Sequence, residues 1–387
     1  MDASSKVTTV IVGGGQIAQQ HAKYIRASEG CELVAVIDPF DTGRQLAESF
    51  SVAHFASIDD LISGYTAFNK PEPELYYVCT PSGLHVPVAI EIITKASPKA
   101  ILVEKPLSTD TASGAELLAL VKEKGCKLAV GHHRRFHPRI VAAKEVVNSG
   151  SLGLITAVTS VWTLKKPDTY YSFAPWRASR AKGGGPVWTN LVHDVDVLHH
   201  IVGSRIVRLW ARSTTRRRPA PSTDIVPADD LVEEGAAVML EFENGVVGTL
   251  VLSDNVASPY NWESASGENP TIAANTSEGG LDAWRFFGTE GSLSAPDGIV
   301  WNYSQETASK LGQEVGWGMP MERKVLDVKE GIPLLRQAEH MARVVRGVEK
   351  PMCPGADGLA AVQVCEAIVE ALDRKNLGPI ELPKLSA

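Results

Sequence analysis

Several things are scarce in this sequence, and each scarcity removes a class of function. Cysteine is rare. The five present, Cys31, Cys79, Cys126, Cys353 and Cys365, show no C-x-x-C pair and no ligand spacing. No His/Cys/Asp cluster has metal-site spacing either, so no metal is expected. Cys79 falls in an apolar run, where a small buried thiol is the default. Reduced thiols and a cytoplasmic setting follow. Basic charge is also scarce. A net charge of −7 argues against nucleic acid as a partner. The one basic run, Arg216-Arg217-Arg218, sits among Pro219, Pro221 and Ser222 and reads as an exposed loop. There is no apolar core in the opening Met-Asp-Ala-Ser-Ser-Lys and no apolar run long enough to span a bilayer, so no membrane role is expected. Internal repeats and low-complexity tails are absent too.

What is present is an ordinary globular composition, 44% hydrophobic and 21% charged over 387 residues, enough for two domains. Up to Gly131 the pattern alternates strand and helix. Strands are expected at Val7 to Val12, Leu33 to Asp38, Leu75 to Thr80, Ala100 to Glu104 and Lys127 to Gly131. Helices are expected at Gln16 to Ala27, Asp41 to Phe50, Leu84 to Lys95 and Ala112 to Lys124. Short apolar strands separated by helices imply a doubly wound parallel sheet. The second half reads as longer, alternating strands: Gly153 to Leu164, Arg205 to Thr214, Ala236 to Phe242, Val246 to Ser253 and a short Gly291 to Ala295. Asn244-Gly245 turns one pair into a hairpin. Leu335 to Gly347 and Gly358 to Asp373 are closing helices. Arg216 to Asp230 and much of Ser264 to Gly280 read as polar loops. The domains are expected to be 1–131 and 132–387.

The first strand ends on Gly13-Gly14-Gly15-Gln16-Ile17-Ala18, a G-x-G-x-x-A pattern, and Asp38 follows twenty residues beyond Ala18. Gly13 permits a tight turn, Gly15 lets a pyrophosphate approach the backbone, and Ala18 lets the helix sit close to the sheet. The helix start, Gln16 and Ile17, offers free N–H groups to the phosphates. Asp38 accepts hydrogen bonds from the adenosine ribose. A ribose phosphate beside it would be repelled by about 4 kcal/mol at 4 Å and an effective dielectric near 20. NAD is therefore expected over NADP. Arg44 is the nearby cation that would blunt this.

Ligands of such a sheet gather at the carboxyl ends of its strands. Thr80-Pro81-Ser82-Gly83-Leu84-His85, Glu104-Lys105-Pro106 and His132-His133-Arg134-Arg135-Phe136 all fall there. Lys105 beside a proline can orient a hydroxyl or stabilise a developing alkoxide, and Glu104 can pair with it or touch a ribose. A glycine run, Gly183 to Gly185, opens a helix with Leu191, Val195, Leu198 and Val202 buried. Asn190 and His193 share another face of that helix. His193 suits proton exchange near neutral pH, whereas His199 and His200 read as structural. Asp194 and Asp196 read as helix-dipole partners or supporting groups. Tyr260 and Trp262 suit a pocket wall or an aromatic core.

In this order and spacing, these motifs resemble the glucose–fructose oxidoreductase and inositol dehydrogenase (Gfo/Idh/MocA) family over nearly the whole chain. Arg134-Arg135-Phe136-His137-Pro138, Trp176-Arg177 and Gly288-Thr289-Glu290-Gly291-Ser292-Leu293 add to the match. The resemblance implies a Rossmann domain followed by a domain with a large, mostly antiparallel sheet covered by helices. Pairing through that sheet into a homodimer or homotetramer is also implied. It further implies oxidation of a carbinol on a sugar, sugar acid or cyclitol, or the reverse, with Lys105 and His193 catalytic. Thr80, Pro81, Leu84, His85, Glu104, Lys105, Trp176 and Arg177 then lie along the cofactor. Arg135, Thr189 and Asn190, with His193, are the expected substrate contacts. One departure stands out. The family often carries an aspartate four residues before the histidine, where this chain has Thr189 with Asn190 beside it. A sub-branch with Ile-Asn there is similar. Either Asn190 orients substrate in place of the acid or the proton relay differs. Two other activities fit the same resemblance: an NAD-dependent glycosidase using transient oxidation, and a non-catalytic dinucleotide sensor.

Overall fold

Apolar runs of three to seven residues form the strands of the first half. They are β1 (Val7–Val12), β2 (Cys31–Ile37), β3 (Ala53–Phe55), β4 (Leu75–Val78), β5 (Ala100–Val103) and β6 (Lys127–Val130). Between them run α1 (Gln16–Ala27), α2 (Asp41–Phe50), α3 (Ile58–Ala67), α4 (His85–Lys95) and α5 (Thr111–Lys124). A computed structural model describes residues 5–219, 225–275, 280–373 and 378–385. All six strands pair in parallel, in the order β3-β2-β1-β4-β5-β6. The order reverses between β1 and β4, which opens the crevice where such sheets bind ligands.

Register makes the carboxyl ends level. Val12 lies opposite Ile37 and Val78, Val78 opposite Val103, and Val103 opposite Val130. The ladder runs on by one bond each: Gly13 N to Ile37 O and Cys79 N to Val12 O at 2.8 Å, and Glu104 N to Val78 O at 2.9 Å. Every loop singled out in the first half therefore leaves from one edge. β3 and α3 escaped the sequence reading. β3 is a three-residue edge strand, too short for a period. α3 had a visible start: Ser57 caps it by accepting from Asp60 N at 3.1 Å.

The second half contains α6 (Pro138–Asn148), β7 (Ile155–Thr163), α7 (Asp168–Ser172), α8 (Val192–Val202), β8 (Ile206–Ser213), β9 (Gly235–Phe242), β10 (Val247–Ser253) and α9 (Trp262–Ser266). Then follow β11 (Asp282–Gly288), β12 (Gly291–Pro296), β13 (Ile299–Asn302), α10 (Gln305–Leu311), β14 (Glu322–Val325), α11 (Pro333–Val345), α12 (Gly355–Asp373) and β15 (Ile380–Glu381). Nine strands form one sheet, ordered β14-β13-β12-β11-β7-β10-β9-β8-β15. It is antiparallel except where β7 meets β10. The expected hairpin joins β9 to β10, with Gly245 at φ 87°. One face is core, built on Val158, Trp162, Leu240, Leu250, Trp284 and Phe286.

Two compact units emerge. The first holds the chain through Phe136 together with Gly331–Gln363; the second holds His137–Glu330 and the chain from Val364 onward. The sequence reading placed all of 132–387 in one domain. Here Ala338, Met341, Ala342, Val344 and Val345 of α11 instead join Ile25, Leu33 and Val36 in the core of the first unit. Periodicity shows that a helix has an apolar face, not which sheet that face covers.

The basic run also needs correction. Arg218 is buried, with Nη2 3.2 Å from Asp254 Oδ1 and its guanidinium 4.2 Å above the Tyr171 ring. The backbone N–H groups of Arg217 and Arg218 donate to the Glu234 carboxylate, each at 2.8 Å. Residues 220–224 of that expected loop, and 276–279 of the later one, lie outside the described residues. Trp262 is fully buried against Trp284, so the core reading holds for it, while Tyr260 is exposed. Among the described residues no helix is long and apolar enough to cross a membrane.

Candidate functional site

In the first unit, the Gly13 turn is dictated by space. Gly13 has φ +106°, and a Cβ there would lie 2.7 Å from Cys79 O. Any side chain would push β1 away from β4. A Cβ at Gly15 would meet nothing within 4 Å, so a ligand can approach that backbone freely. Gly15 starts α1 without a side-chain cap, Gln16 is exposed, Ile17 is half-buried and Ala18 is fully buried. The open N–H groups at this helix end suit a pyrophosphate.

Asp38 is nearly buried at the end of β2. Its Oδ1 accepts from Phe40 N at 2.8 Å, and Oδ2 takes no hydrogen bond from the described residues. Arg44 does not reach toward it. Its Nη2 pairs with Asp41 Oδ1 at 2.6 Å on the surface. Past β4, Thr80 Oγ1 is buried with no hydrogen-bond partner among the described residues, an orphan that a bound ligand would satisfy. Pro81 and Leu84 are exposed beside it. His85 is inside. Its ring nitrogens lie 2.7 Å from Pro106 O and 2.9 Å from Thr80 O, so it fastens two site loops together. Burial lowers its pKa against the pull of those carbonyls.

Glu104 is also inside. Oε1 lies 2.7 Å from His21 Nε2, and Oε2 accepts from Lys105 N at 3.0 Å. Burial pushes its pKa up, but His21, then His133 and Lys105, outweigh burial and hold it at about 2. The carboxylate is thus engaged with His21, which the sequence reading did not single out; position six of a helix gives no sign of a residue eighty-three places away. Lys105 is half-buried at the same strand end.

Arg135, expected at the substrate, is 3% exposed, with Nη1 donating to Met352 O at 2.8 Å and Asp357 Oδ2 at 2.9 Å. It anchors the returning C-terminal segment within the first unit.

In the second unit, the glycine run leads into a π-helical turn, Val187–Leu191, continuous with α8. Such turns are rare and concentrate at functional sites. The buried Glu233 carboxylate accepts from Val187 N at 3.1 Å, and a Cβ on Gly185 would lie 2.7 Å from its Oε1. His193 is 7% exposed on α8, and Asp194 and Asp196 are buried. Thr189, expected at the substrate, has its Oγ1 2.8 Å from both Gly185 O and Asn190 Oδ1, and its one proton serves them in turn. Asn190 Oδ1 also accepts from Lys166 Nζ at 2.7 Å. Trp176 is exposed, while Arg177 stacks 3.9 Å from the Tyr170 ring and donates to Tyr170 O at 2.8 Å. His199 accepts from Ile206 N, a structural use as expected.

Lys166 is the residue missed. It follows β7 and is 8% exposed, with Nζ 3.8 Å from Asp254 Oδ2 and 4.7 Å from the Tyr170 ring. Burial pulls its pKa down to about 8 despite Asp254 and Glu263. The signal was available: Lys166-Pro167 ends a strand as Lys105-Pro106 does.

Two family models match the chain. One, an oxidoreductase family with an NAD-binding Rossmann fold, covers residues 7–132; the other, the GFO/IDH/MocA C-terminal domain, covers 140–294. An uncharacterized oxidoreductase, YrbE, from Bacillus subtilis (strain 168) is 24% identical over 373 residues, 95% of each chain. Inositol 2-dehydrogenase from Rhizobium meliloti (strain 1021) is 28% identical over 201 residues, 52% of this chain and 56% of that one. The structure of scyllo-inositol dehydrogenase from Lactobacillus casei, with NAD(H) and scyllo-inositol bound, superposes with a TM-score of 0.71. It is 19% identical and covers 97% of this chain and 99% of that one, a likeness of fold.

Proposed function

Because this chain belongs to the Gfo/Idh/MocA family of NAD-binding oxidoreductases, we propose that it is a dehydrogenase interconverting a secondary hydroxyl and a ketone on a sugar, sugar acid or cyclitol. The observation carrying this reading is the level row of strand ends, from which Gly13, Asp38, Thr80 and Glu104-Lys105 all leave. Gly15, Gln16 and Ile17 would hold the pyrophosphate, Asp38 Oδ2 a ribose hydroxyl, and Thr80 Oγ1 another polar group of NAD. Pro81, Leu84, His85 and Glu104 line or brace that groove. Trp176 and Arg177 are assigned to the cofactor by the resemblance. When bound, the nicotinamide supplies the hydride acceptor. Lys105 donates to the carbinol oxygen and stabilises its charge as the proton leaves. His193 takes that proton as general base. Asn190 contacts the substrate through its amide nitrogen. The test is to incubate protein and NAD with a panel of sugars, sugar acids and cyclitols and follow absorbance of the reduced cofactor. Tight NAD binding with no turnover on any compound would reject the reading.

NAD is the preferred dinucleotide in this account. Among the described residues no lysine or arginine pairs with Asp38, and Arg44 pairs with Asp41 instead. Repulsion of about 4 kcal/mol corresponds to roughly a thousandfold at most. Asp38→Ser should lower the NAD-over-NADP ratio of kcat/KM by about 100-fold or more; an unchanged ratio would remove Asp38 from cofactor choice.

The open face of the nine-stranded sheet supports self-association into a dimer or tetramer. Val247, Phe287 and Trp301 fall along one row through Ala157 and Ser292, with Met239 and Val251 nearby, and all five large side chains are exposed. Large apolar side chains exposed together on one sheet face mark an interaction surface. In sedimentation the wild type should run as an oligomer and M239K, by burying a charge there, as a monomer. A monomeric wild type would contradict this.

A further inference from the structure

We propose that Lys166 and Asn190 form a subsite for a carboxylate, which makes sugar acids the preferred substrate class; this rests on the dehydrogenase reading above. An ammonium has three N–H donors. Among the described residues Lys166 Nζ has one acceptor within hydrogen-bond distance, Asn190 Oδ1 at 2.7 Å. Asp254 Oδ2, at 3.8 Å, is beyond hydrogen-bond distance. That carboxylate is already engaged by Tyr171 Oη and Arg218 Nη2. Two aromatic rings also flank the ammonium, Trp162 at 5.4 Å and Tyr170 at 4.7 Å. A lysine head this deeply placed is costly to bury with donors unfilled.

The amide beside it is oriented the same way. Asn190 Oδ1 accepts from Lys166 and lies within reach of Thr189 Oγ1, so the oxygen is taken and Nδ2 is what remains for a ligand. Asn190 is half-buried, and its Nδ2 donates to none of the described residues. Arg177 adds positive potential on the same Tyr170 ring and has no carboxylate within 4.0 Å among the described residues. Toward a ligand the subsite presents the N–H donors of Lys166 and Asn190. A carboxylate brings two acceptor oxygens and a full negative charge, and matches them with charge-assisted hydrogen bonds. A neutral hydroxyl accepts from the same donors without that charge. Asn190 stands one helical turn before His193, so a carboxylate held there is carried by the same molecule whose carbinol is oxidised.

The charged and titratable groups facing Lys166 are Asp254 after β10, Glu263 on α9, Tyr170 on α7, and Arg177 and Arg218. With its pKa drawn to about 8, the ammonium is present at neutral pH and lost above that. Affinity for an acid should fall as pH rises through about 8.

The test uses the full chain with D-glucuronate and D-gluconate as probes and D-glucose and myo-inositol as neutral controls. Calorimetric binding, with and without NADH, runs in parallel with steady-state kinetics. The wild type should bind the acids about tenfold or more tightly than the neutral compounds. K166M should raise Kd and KM for the acids by about 10- to 100-fold, and by about tenfold more than for the neutral compounds. K166R should retain part of the acid preference, and K166M should flatten the alkaline fall. Equal effects of K166M on acids and neutrals, or a wild type that binds no acid or favours neutral polyols, would overturn the subsite. If acids bind in a Lys166-dependent way but nothing is turned over, the dehydrogenase reading fails and the subsite stands. If neutral polyols are oxidised but no acid binds in a Lys166-dependent way, the reverse holds.

Discussion

Lys105→Met and His193→Ala should each lower kcat by about 10² to 10⁴, with NAD affinity changed little. The two groups do complementary work in the proposed reaction. As hydride leaves carbon, the carbinol proton must leave oxygen, and charge accumulates on that oxygen if the proton lags. An ammonium donor stabilises that charge; methionine keeps the stem of the side chain and removes the donor. The imidazole provides a base near neutral pH, and alanine leaves none. Lys105 follows β5, and His193 lies on α8 after the π-helical turn. Stopped-flow reduction of NAD under saturating substrate isolates the step. Full activity in either variant would reject the assigned role. Loss of activity together with loss of NAD binding in H193A would point to a structural defect instead.

Glu104→Ala should destabilise the protein by about 3–5 kcal/mol, because it strands a histidine in the core. The two side chains are only 2% and 6% exposed, and their atoms lie 2.7 Å apart. The carboxylate is the acceptor, so His21 Nε2 is the donor. Removing Glu104 also frees Lys105 N, which donates to Oε2 at 3.0 Å, so Lys105 loses its anchor. The same pair implies an acid dependence. Burial alone would raise the Glu104 pKa; the histidines and Lys105 instead hold it at about 2, below the ordinary 4.5. A carboxyl depressed on folding adds stability above its unfolded pKa, and that stability fades as pH falls through the native value. The contribution is about 3 kcal/mol, present above pH ~4.5 and lost toward pH ~2. Urea unfolding of wild type and E104A across this window should converge at the acid end. Parallel curves at every pH would contradict the assignment.

Much of the first unit was legible because its signals are local. The turn at Gly13, the acid at Asp38 and the loops after β4 and β5 each declare themselves within a few residues, and level register then assembles them. What escaped was non-local. The partner of Glu104 is His21, the anchor of Arg135 is Asp357, and α11 closes a core begun more than three hundred residues earlier. No window of sequence contains both ends of such contacts. The second unit hid more. Glycines before Thr189 suggested a helix start but not the π-helical turn that brings Asn190 Oδ1 to Lys166. Arg218 read as solvated because its neighbours are prolines and serine, whereas Asp254 and Tyr171 draw it inside. Lys166 was passed over because its partners, Asp254 and Asn190, lie on other elements.

Hydride transfer is the central claim, and isotope tracing reads it directly. Wild-type protein is mixed with NAD and carbon-deuterated sugars, sugar acids and cyclitols, and the cofactor and product are weighed by mass spectrometry. The account predicts one deuterium delivered to the nicotinamide for each ketone formed. Deuterium that returns to the sugar with release of a free sugar would mark a transient oxidation instead, and unlabelled cofactor beside unchanged substrate throughout the panel would contradict the claim.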